Sequence, residues 1–413
     1  MRDLLPPEAW RHAELSRRIV GTFELYGYEI VTVPLFEFAE VVERGLGGLP
    51  SDDVLHFVEP ESGSVVSLRP DMTPQVARLL ATRLGDTPGP ARLCYQGSVL
   101  RRRRERARRH RQIPQAGVEL IGEEGPGGDL EVLSVAAAAV RAAGLDAFVI
   151  DLGHARIAGA LVETLPADAA RPILEAIEVK DESEVVRRAE QYGIAGRELA
   201  ALALLPNLHG GAEVWPRAEQ ALSGTPAAPA LAELRRLYDA AVAASLAPNV
   251  LVDLGETRDF AYYTGPLFQI YAEGPGRAIG AGGRYDGLLG RFGPPRPAVG
   301  FAFGLDDVVW ALEAAARSRA LPPRLLLVGA GQRLGGALRN AGFVAAPAPD
   351  GDALAYARAW RYSHVVDERA GELWLTDVDG QRSCSLGKDA DALVSKIRKE
   401  LELGSEKDTA CRQ

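Results

Sequence analysis

Eight residues from four separate segments carry the polar chemistry of this 413-residue chain. Asp71 and Thr73 lie in Leu68-Arg-Pro-Asp71-Met-Thr73, and Gln115 and Glu119 in Gln115-Ala-Gly-Val-Glu119. Arg258 precedes the pair Tyr262-Tyr263, and Tyr285 stands in Gly282-Gly-Arg-Tyr285-Asp-Gly287. Side chains alternate along a strand, so Arg69, Asp71 and Thr73 share a face if that strand runs on. Gln115, Gly117 and Glu119 share another, their ends about 13 Å apart at roughly 3.3 Å per residue, with the glycine leaving room between them. The set offers a guanidinium for an anion (Arg258), carboxylates for cations (Asp71, Glu119), a neutral amide (Gln115) and hydroxyls (Thr73, Tyr263, Tyr285). A small amino acid with a basic side chain needs those groups: guanidinium for its carboxylate, carboxylate and hydroxyl for its ammonium, and a second carboxylate for the side chain. Singly, each has an ordinary structural role. Glu119 could pair with an arginine across a sheet, and Tyr263 could be core. Their coincidence points to a site.

A second polar feature is basic. Between Arg101 and Arg111 stand eight arginines and one glutamate, a local +7 that leaves −16 on the rest of a chain whose net charge is −9. An acidic body with one basic loop suits attraction of a phosphate group or an acidic partner surface better than general nucleic-acid binding. Arg101, Arg106, Arg108 and Arg109 are the candidate contacts, and a merely solvated loop is the alternative. Cys94, Cys384 and Cys411 are far apart and the six histidines are scattered, so neither a disulfide framework nor a metal site is expected, and no cofactor is. Gly329-Ala-Gly331-Gln-Arg-Leu-Gly335 has the wrong glycine spacing, in too small a unit, for a dinucleotide site. A 47% apolar content excludes disorder for most of the chain. No uncharged apolar run reaches about 18 residues, so no membrane span is expected. The opening residues lack a secretory apolar stretch, which makes the cytoplasm the expected location.

The elements that must position these residues follow from pattern. Leu15, Ile19 and Phe23 give a buried helical stripe between Pro6-Pro7 and Gly27. Strands are expected at 28–34, 55–59, 65–70, 91–101, 115–121 and 147–151, with helices at 73–83, 130–144 and 157–164. Residues 167–247, rich in Ala, Leu, Glu and Arg, read as a helical insertion rather than part of a sheet. Strands return at 249–255, 262–273 and 298–303, followed by a helix at 305–317. Beyond Pro322-Pro323, strands at 324–328, 364–367, 372–377 and 382–386 mix with helices at 333–341, 352–359 and 389–402, before a polar tail, 403–413. The order is α+β with an antiparallel core.

Several of these segments resemble the histidyl-tRNA synthetase family, in the same order along residues 1–317. They are Arg2-Asp-Leu-Leu-Pro-Pro-Glu, the Pro34 strand, Leu68-Arg-Pro, the 91–121 strand–loop–strand, Arg258 with Tyr262-Tyr263, Gly-Gly-Arg-Tyr-Asp-Gly, and Ala298-Val-Gly-Phe-Ala-Phe-Gly-Leu305. Leu68-Arg-Pro-Asp-Met-Thr-Pro-Gln-Val-Ala-Arg, Gln115-Ala-Gly-Val-Glu-Leu and Tyr262-Tyr-Thr-Gly are similar to the branch formed by ATP phosphoribosyltransferase regulatory subunits. The resemblance implies a class II aminoacyl-tRNA synthetase-like antiparallel sheet core with helices (1–317), the helical insertion, and a small C-terminal α/β domain (318–402) like a shortened anticodon-binding domain. It implies that Thr73, Gln115, Glu119, Arg258, Tyr263 and Tyr285 bind histidine beside Tyr262, with Asp71 where the synthetases have glutamate. Glu119 and Tyr263 would read the imidazole, and Arg258 with Gln115 the carboxylate. On the ATP side, Arg101 keeps the motif 2 arginine, whereas the motif 2 glutamate falls on Arg103 and the motif 3 arginine on Asp307. At about 4 Å and an effective dielectric near 20, that reversal turns a phosphate contact from roughly −4 to +4 kcal/mol before screening. The resemblance therefore implies a non-catalytic regulatory subunit of the first step of histidine biosynthesis. It would take L-histidine as ligand, dimerise through its core, and join a short-form catalytic subunit in a hetero-oligomer, an octamer in relatives, without tRNA or membrane. An active histidyl-tRNA synthetase and a stand-alone histidine sensor remain the alternatives.

Overall fold

The computed structural model describes residues 3–47, 54–101, 112–257, 262–317, 321–329, 334–379, 382–387 and 394–401. The chain divides into two units, residues 1–318 and 319–413. The first opens with α1 (Glu8–Leu25), β1 (Glu29–Ile30), β2 (Phe36–Phe38), α2 (Ala39–Leu46), β3 (Leu55–Val58), β4 (Val65–Leu68) and α3 (Thr73–Arg83). The hairpin β5 (Ala91–Leu100) and β6 (Gln112–Ile121), α4 (Gly125–Ala143), β7 (Val149–His154) and α5 (Ala155–Val162) follow. The insertion holds α6 (Ala167–Glu178), α7 (Glu182–Gln191), α8 (Gly196–Leu204), β8 (His209–Gly210), α9 (Trp215–Leu222) and α10 (Ala228–Ala243). The unit closes with β9 (Asn249–Asp253), β10 (Pro266–Tyr271), β11 (Gly280–Arg284), β12 (Ala298–Gly304) and α11 (Leu305–Ala314).

Nine strands form the main sheet in the order β1-β5-β6-β12-β11-β10-β7-β9-β8. Only β1–β5 and β7–β9 are parallel pairs; the other six are antiparallel. Register fixes what each face carries. Ala116, Val118 and Leu120 of β6 turn toward a core shared with Leu15, Ile19 and Phe23 of α1, Val132 and Val140 of α4, and Val308 of α11. Gln115, Gly117 and Glu119 turn the other way. From Ala116 onward β6 is continuously buried, as expected of a strand covered on both sides. The second cover is a smaller apolar layer of Met72, just before α3, and Val76 and Leu80 of α3, with Tyr95, Tyr262 and Tyr285. The described candidate residues therefore lie between two cores.

Four sequence expectations change. The strand at 28–34 contracts to Glu29–Ile30, at the edge of the sheet. The helix expected from 130 starts at Gly125, with Pro126 in its first turn, where a missing amide proton costs nothing. The helical insertion contributes one short strand, β8, which pairs with β9. Strand β11, Gly280-Ala-Gly-Gly-Arg284, was absent from the reading because glycine is depleted in strands. It is required here: a Cβ at Gly283 would lie 2.8 Å from the Pro266 carbonyl oxygen and 2.9 Å from Leu267 Cα on β10.

In the second unit, β13 (Arg324–Leu327), α12 (Gly335–Asn340), β14 (Val344–Pro347), α13 (Ala353–Ala359), β15 (His364–Arg369), β16 (Glu372–Asp377) and β17 (Ser383–Gly387) precede a helix at 394–401. The sheet order is β14-β13-β15-β16-β17, with parallel pairing among the first three strands and antiparallel pairing thereafter. Leu325, Leu327, Leu338, Val366 and Ile397 form its core. Residues 330–333 of the glycine motif lie outside the described residues.

Candidate functional site

Strand β4 does not continue to Thr73. It ends at Leu68, and the chain turns so that Thr73 opens α3. Arg69 is drawn inward and spent on structure: Nε donates to the Ser98 carbonyl at 2.7 Å and Nη1 to that of Val33 at 2.7 Å. The expected shared face of Arg69, Asp71 and Thr73 is thereby corrected to Asp71 and Thr73 alone. Asp71 Oδ1 accepts the Thr73 backbone N–H at 3.2 Å at the start of α3, and its Oδ2 accepts the Tyr262 hydroxyl at 2.8 Å.

Glu119 is the hub of this wall. It is 1% exposed and accepts hydrogen bonds from Thr73 Oγ1 at 2.7 Å, from the Tyr95 hydroxyl at 3.1 Å, and from the Tyr285 hydroxyl. Burial pushes its carboxyl well above the usual range, the Thr73 and Tyr95 hydroxyls pull it back, and nearby Asp71 adds to the rise. Burial likewise raises the phenols of Tyr95, Tyr262 and Tyr263. Two glycines make the arrangement possible. Gly300 pairs with Glu119 across β12–β6, and a Cβ there would collide with Glu119 Oε2. Gly117 pairs with Tyr95, and a Cβ there would lie 2.7 Å from the Tyr95 oxygen. The space left by Gly117 is thus filled by Tyr95, a residue the sequence reading missed, and not kept for a ligand. Only the strand pairing could have signalled it.

A cavity of about 230 Å³ opens beside this hub, walled by Asp71, Thr73, Tyr262, Tyr263, Tyr285, Gln115 and Arg101. Glu119 does not reach its surface; it lies one layer behind, under Thr73 and Tyr285. The hydroxyl protons of Thr73 and Tyr285 point at Glu119, so their oxygens face the cavity as acceptors, beside the Asp71 carboxylate that takes the Tyr262 proton. This end accepts hydrogen bonds and favours a cation. Gln115 Oε1 is buried without a partner on the same wall, an acceptor that a ligand N–H could satisfy.

The other end of the cavity follows from register. Gly300 lies opposite Glu119 and Gly304 opposite Gln115, so the two ends stand about 13 Å apart along the strands. There, Arg277 from the β10–β11 connection and Asp307 in the first turn of α11 both line the wall. Arg277 forks onto Asp307, with Nε to Oδ2 at 3.0 Å and Nη2 to Oδ1. The expectation of a simple charge reversal at position 307 is therefore corrected: the acid is neutralised locally by an arginine that the sequence reading overlooked. Arg101 joins the wall and donates from Nε to the Pro70 carbonyl at 2.7 Å. Arg258, Arg103, Arg106, Arg108 and Arg109 lie outside the described residues. Among the described residues, no cluster of His, Cys, Asp or Glu could hold a metal ion, and no helix is long and apolar enough to cross a membrane.

Comparison with known proteins bears on the fold and the family. A model of the histidyl-tRNA synthetase family matches residues 1–308. The ATP phosphoribosyltransferase regulatory subunit of Syntrophotalea carbinolica is 35% identical over 91% of this chain and 91% of its own length. That of an Anaeromyxobacter species (strain Fw109-5) is 44% identical over 78% of this chain and 97% of its own. A solved structure from Bacillus halodurans C, described as an ATP phosphoribosyltransferase regulatory subunit/histidyl-tRNA synthetase, superposes with a TM-score of 0.77 at 26% identity, covering 88% of this chain and 96% of the other. With a family model over residues 1–308 and relatives matched over nine-tenths or more of their own length, the chain belongs to the histidyl-tRNA synthetase-like family, in the branch of the ATP phosphoribosyltransferase regulatory subunits.

Proposed function

We propose that this chain is the non-catalytic regulatory subunit of an ATP phosphoribosyltransferase, needed for the first step of histidine biosynthesis, and that its cavity binds L-histidine as a feedback signal. Similarity to regulatory subunits over 78–91% of this chain, at 35–44% identity, carries this reading. The acceptor-rich wall supports the choice of ligand. Asp71, Thr73 and Tyr262 would take the α-ammonium, Tyr263 and Tyr285 the imidazole side, and Gln115 with Arg258 the carboxylate. Glu119 would act from behind by fixing the direction of two hydroxyls. Binding alone does not regulate: histidine must favour one assembly state over another, because equal affinity for both shifts nothing.

The partner in this reading is a short-form catalytic subunit, in a hetero-oligomer that is octameric in relatives, and the basic run with Arg106, Arg108 and Arg109 is a candidate contact for it. A homodimer is supported by the small sheet of β2, β3 and β4, whose Phe36, Phe38 and Phe57 are 47%, 50% and 40% exposed. An aromatic patch of that kind is the sort of surface that partners cover. Residues 318–402 would be a shortened relative of an anticodon-binding domain. Two measurements test the assignment: co-purification with a phosphoribosyltransferase whose activity this chain restores, and calorimetric titration with histidine.

A second reading, an active histidyl-tRNA synthetase, is favoured by the family match over residues 1–308. Against it stands Asp307 at the position of a phosphate-binding arginine. Histidine-dependent ATP–pyrophosphate exchange above background would restore it. A stand-alone histidine sensor would bind histidine with no phosphoribosyltransferase coming down from native lysate.

A further inference from the structure

The Arg277–Asp307 fork lies toward Gly304, four residues along β12 from the Gly300 that faces Glu119. It lines the same cavity as the acceptor residues, and Asp307 is shielded to 13% side-chain exposure, against 31% for Arg277. Around it are features that would otherwise attract a polyanion: the guanidinium of Arg277 and the N-terminal turn of the ten-residue helix α11, whose amides carry partial positive charge. Asp307 occupies that positive corner with a carboxylate of the chain's own. Gly304, the residue before α11, leaves it room: a Cβ there would sit 3.1 Å from Asp307 Oδ2. A fork–fork pair is also the geometry in which an arginine has least left to offer another anion.

We propose that Asp307 is the specificity filter of this cavity, an internal anion that holds Arg277 and bars phosphate-bearing ligands from the far end, so that the site reports a free amino acid without interference from nucleotides. This rests on the amino-acid-binding reading above and adds to it the residue that keeps polyphosphates out.

The test uses the full chain and inorganic pyrophosphate as the probe. Asp307→Asn is close to isosteric, removes the internal charge and releases the Arg277 fork. It should tighten pyrophosphate binding by about tenfold or more over wild type at low salt. Asp307→Asn combined with Arg277→Gln should return affinity to the wild-type level, since the released donor is gone. The proposal is overturned if Asp307→Asn, folded by circular dichroism, binds pyrophosphate no better than wild type, or if the double variant keeps the whole gain. Histidine titration of the wild type runs in parallel. Its failure would count against the amino-acid reading, while the pyrophosphate comparison would still decide whether Asp307 is an anion filter.

Discussion

Replacing Glu119 by glutamine should make the fold more stable and the ligand weaker, and the structure sets the size of both effects. The carboxyl is 1% exposed and burial holds its proton far more tightly than in the unfolded chain, where a glutamate titrates at roughly 4.3. Between that value and the raised folded value, the native state carries a proton that the unfolded state has lost. Stability therefore falls as pH rises, by up to about 1.4 kcal/mol per pH unit. Glutamine keeps the shape and has no proton to lose. The stability difference between Glu119→Gln and wild type should thus grow in favour of the variant as pH rises above the unfolded value, through the range in which the folded carboxyl still holds its proton. Differencing the two proteins cancels other buried acids, including Asp129, whose carboxyl is raised to about 6 chiefly by burial. Histidine affinity should move the other way. Glutamine places two N–H donors where the carboxyl carries at most one proton, so a hydroxyl that now donates to position 119 must turn its proton toward the cavity; at a net contribution of about 0.5–1.5 kcal/mol for one such hydrogen bond, a roughly two- to tenfold loss is expected. The assay is urea unfolding of both proteins without ligand at pH 5, 6 and 7, with calorimetric histidine titration at pH 7. Parallel pH–stability curves would show that Glu119 is not a stressed buried acid. Undiminished histidine binding would show that it does not organise the pocket.

Three further outcomes are expected. Asp71→Asn keeps an oxygen for the Thr73 amide but removes the anion, so thermal stability should change by less than about 1 kcal/mol while histidine binding weakens about tenfold in calorimetry. Arg284→Leu strips the partner from Asp129 in an ion pair whose side chains are both 4% exposed, and should cost about 3–5 kcal/mol in urea unfolding; a loss below 1 kcal/mol would mean that the pair is dispensable. Phe38→Glu with Phe57→Glu should convert a dimer to monomer in sedimentation velocity, and an unchanged dimer would place the contact on another face.

Much of this architecture was legible because local rules and the fold agree. The strands at 55–58, 65–68, 91–100 and 112–121 and the helix at 73–83 carry β-branched runs or an apolar stripe ended by a turn, and they form close to where those patterns place them. Disagreement appears where a pairing partner overrides local preference. Gly280-Ala-Gly-Gly-Arg284 is a poor strand by composition, yet it becomes one because neighbouring β10 and β12 leave no room for side chains between them. The site shows the same division. Asp71, Thr73, Gln115, Tyr262, Tyr263 and Tyr285 were found by residue type and spacing and come together on one cavity wall. Tyr95 was missed because it has no distinguishing neighbours in sequence; its importance comes from standing opposite Gly117. Glu119, expected at the ligand, lies behind the cavity wall for a related reason, since alternation along a strand gives the face a residue points to but not the layers stacked above it.

The charge at position 307 makes the limit most concrete. Read along the chain, an aspartate where a phosphate-binding arginine is expected looks like a cleft turned repulsive, because the sum runs over one residue. Its partner stands thirty residues earlier, on the connection between β10 and β11, and no local pattern ties Arg277 to it. Once paired, the two contribute no net charge to the cleft, so the proposed exclusion of a nucleotide does not come from long-range repulsion by this pair. What remains is short-ranged: a guanidinium already committed to a carboxylate, and a helix terminus already facing an anion of its own. Exclusion by occupancy predicts a dependence on the identity of residue 307 that outlasts screening by salt. Exclusion by field predicts one that fades within a Debye length of about 10 Å at 0.1 M. If the pyrophosphate gain of Asp307→Asn persists at 0.5 M salt relative to wild type, occupancy is the mechanism. If it disappears there, the fork is incidental and the net charge of the cleft decides.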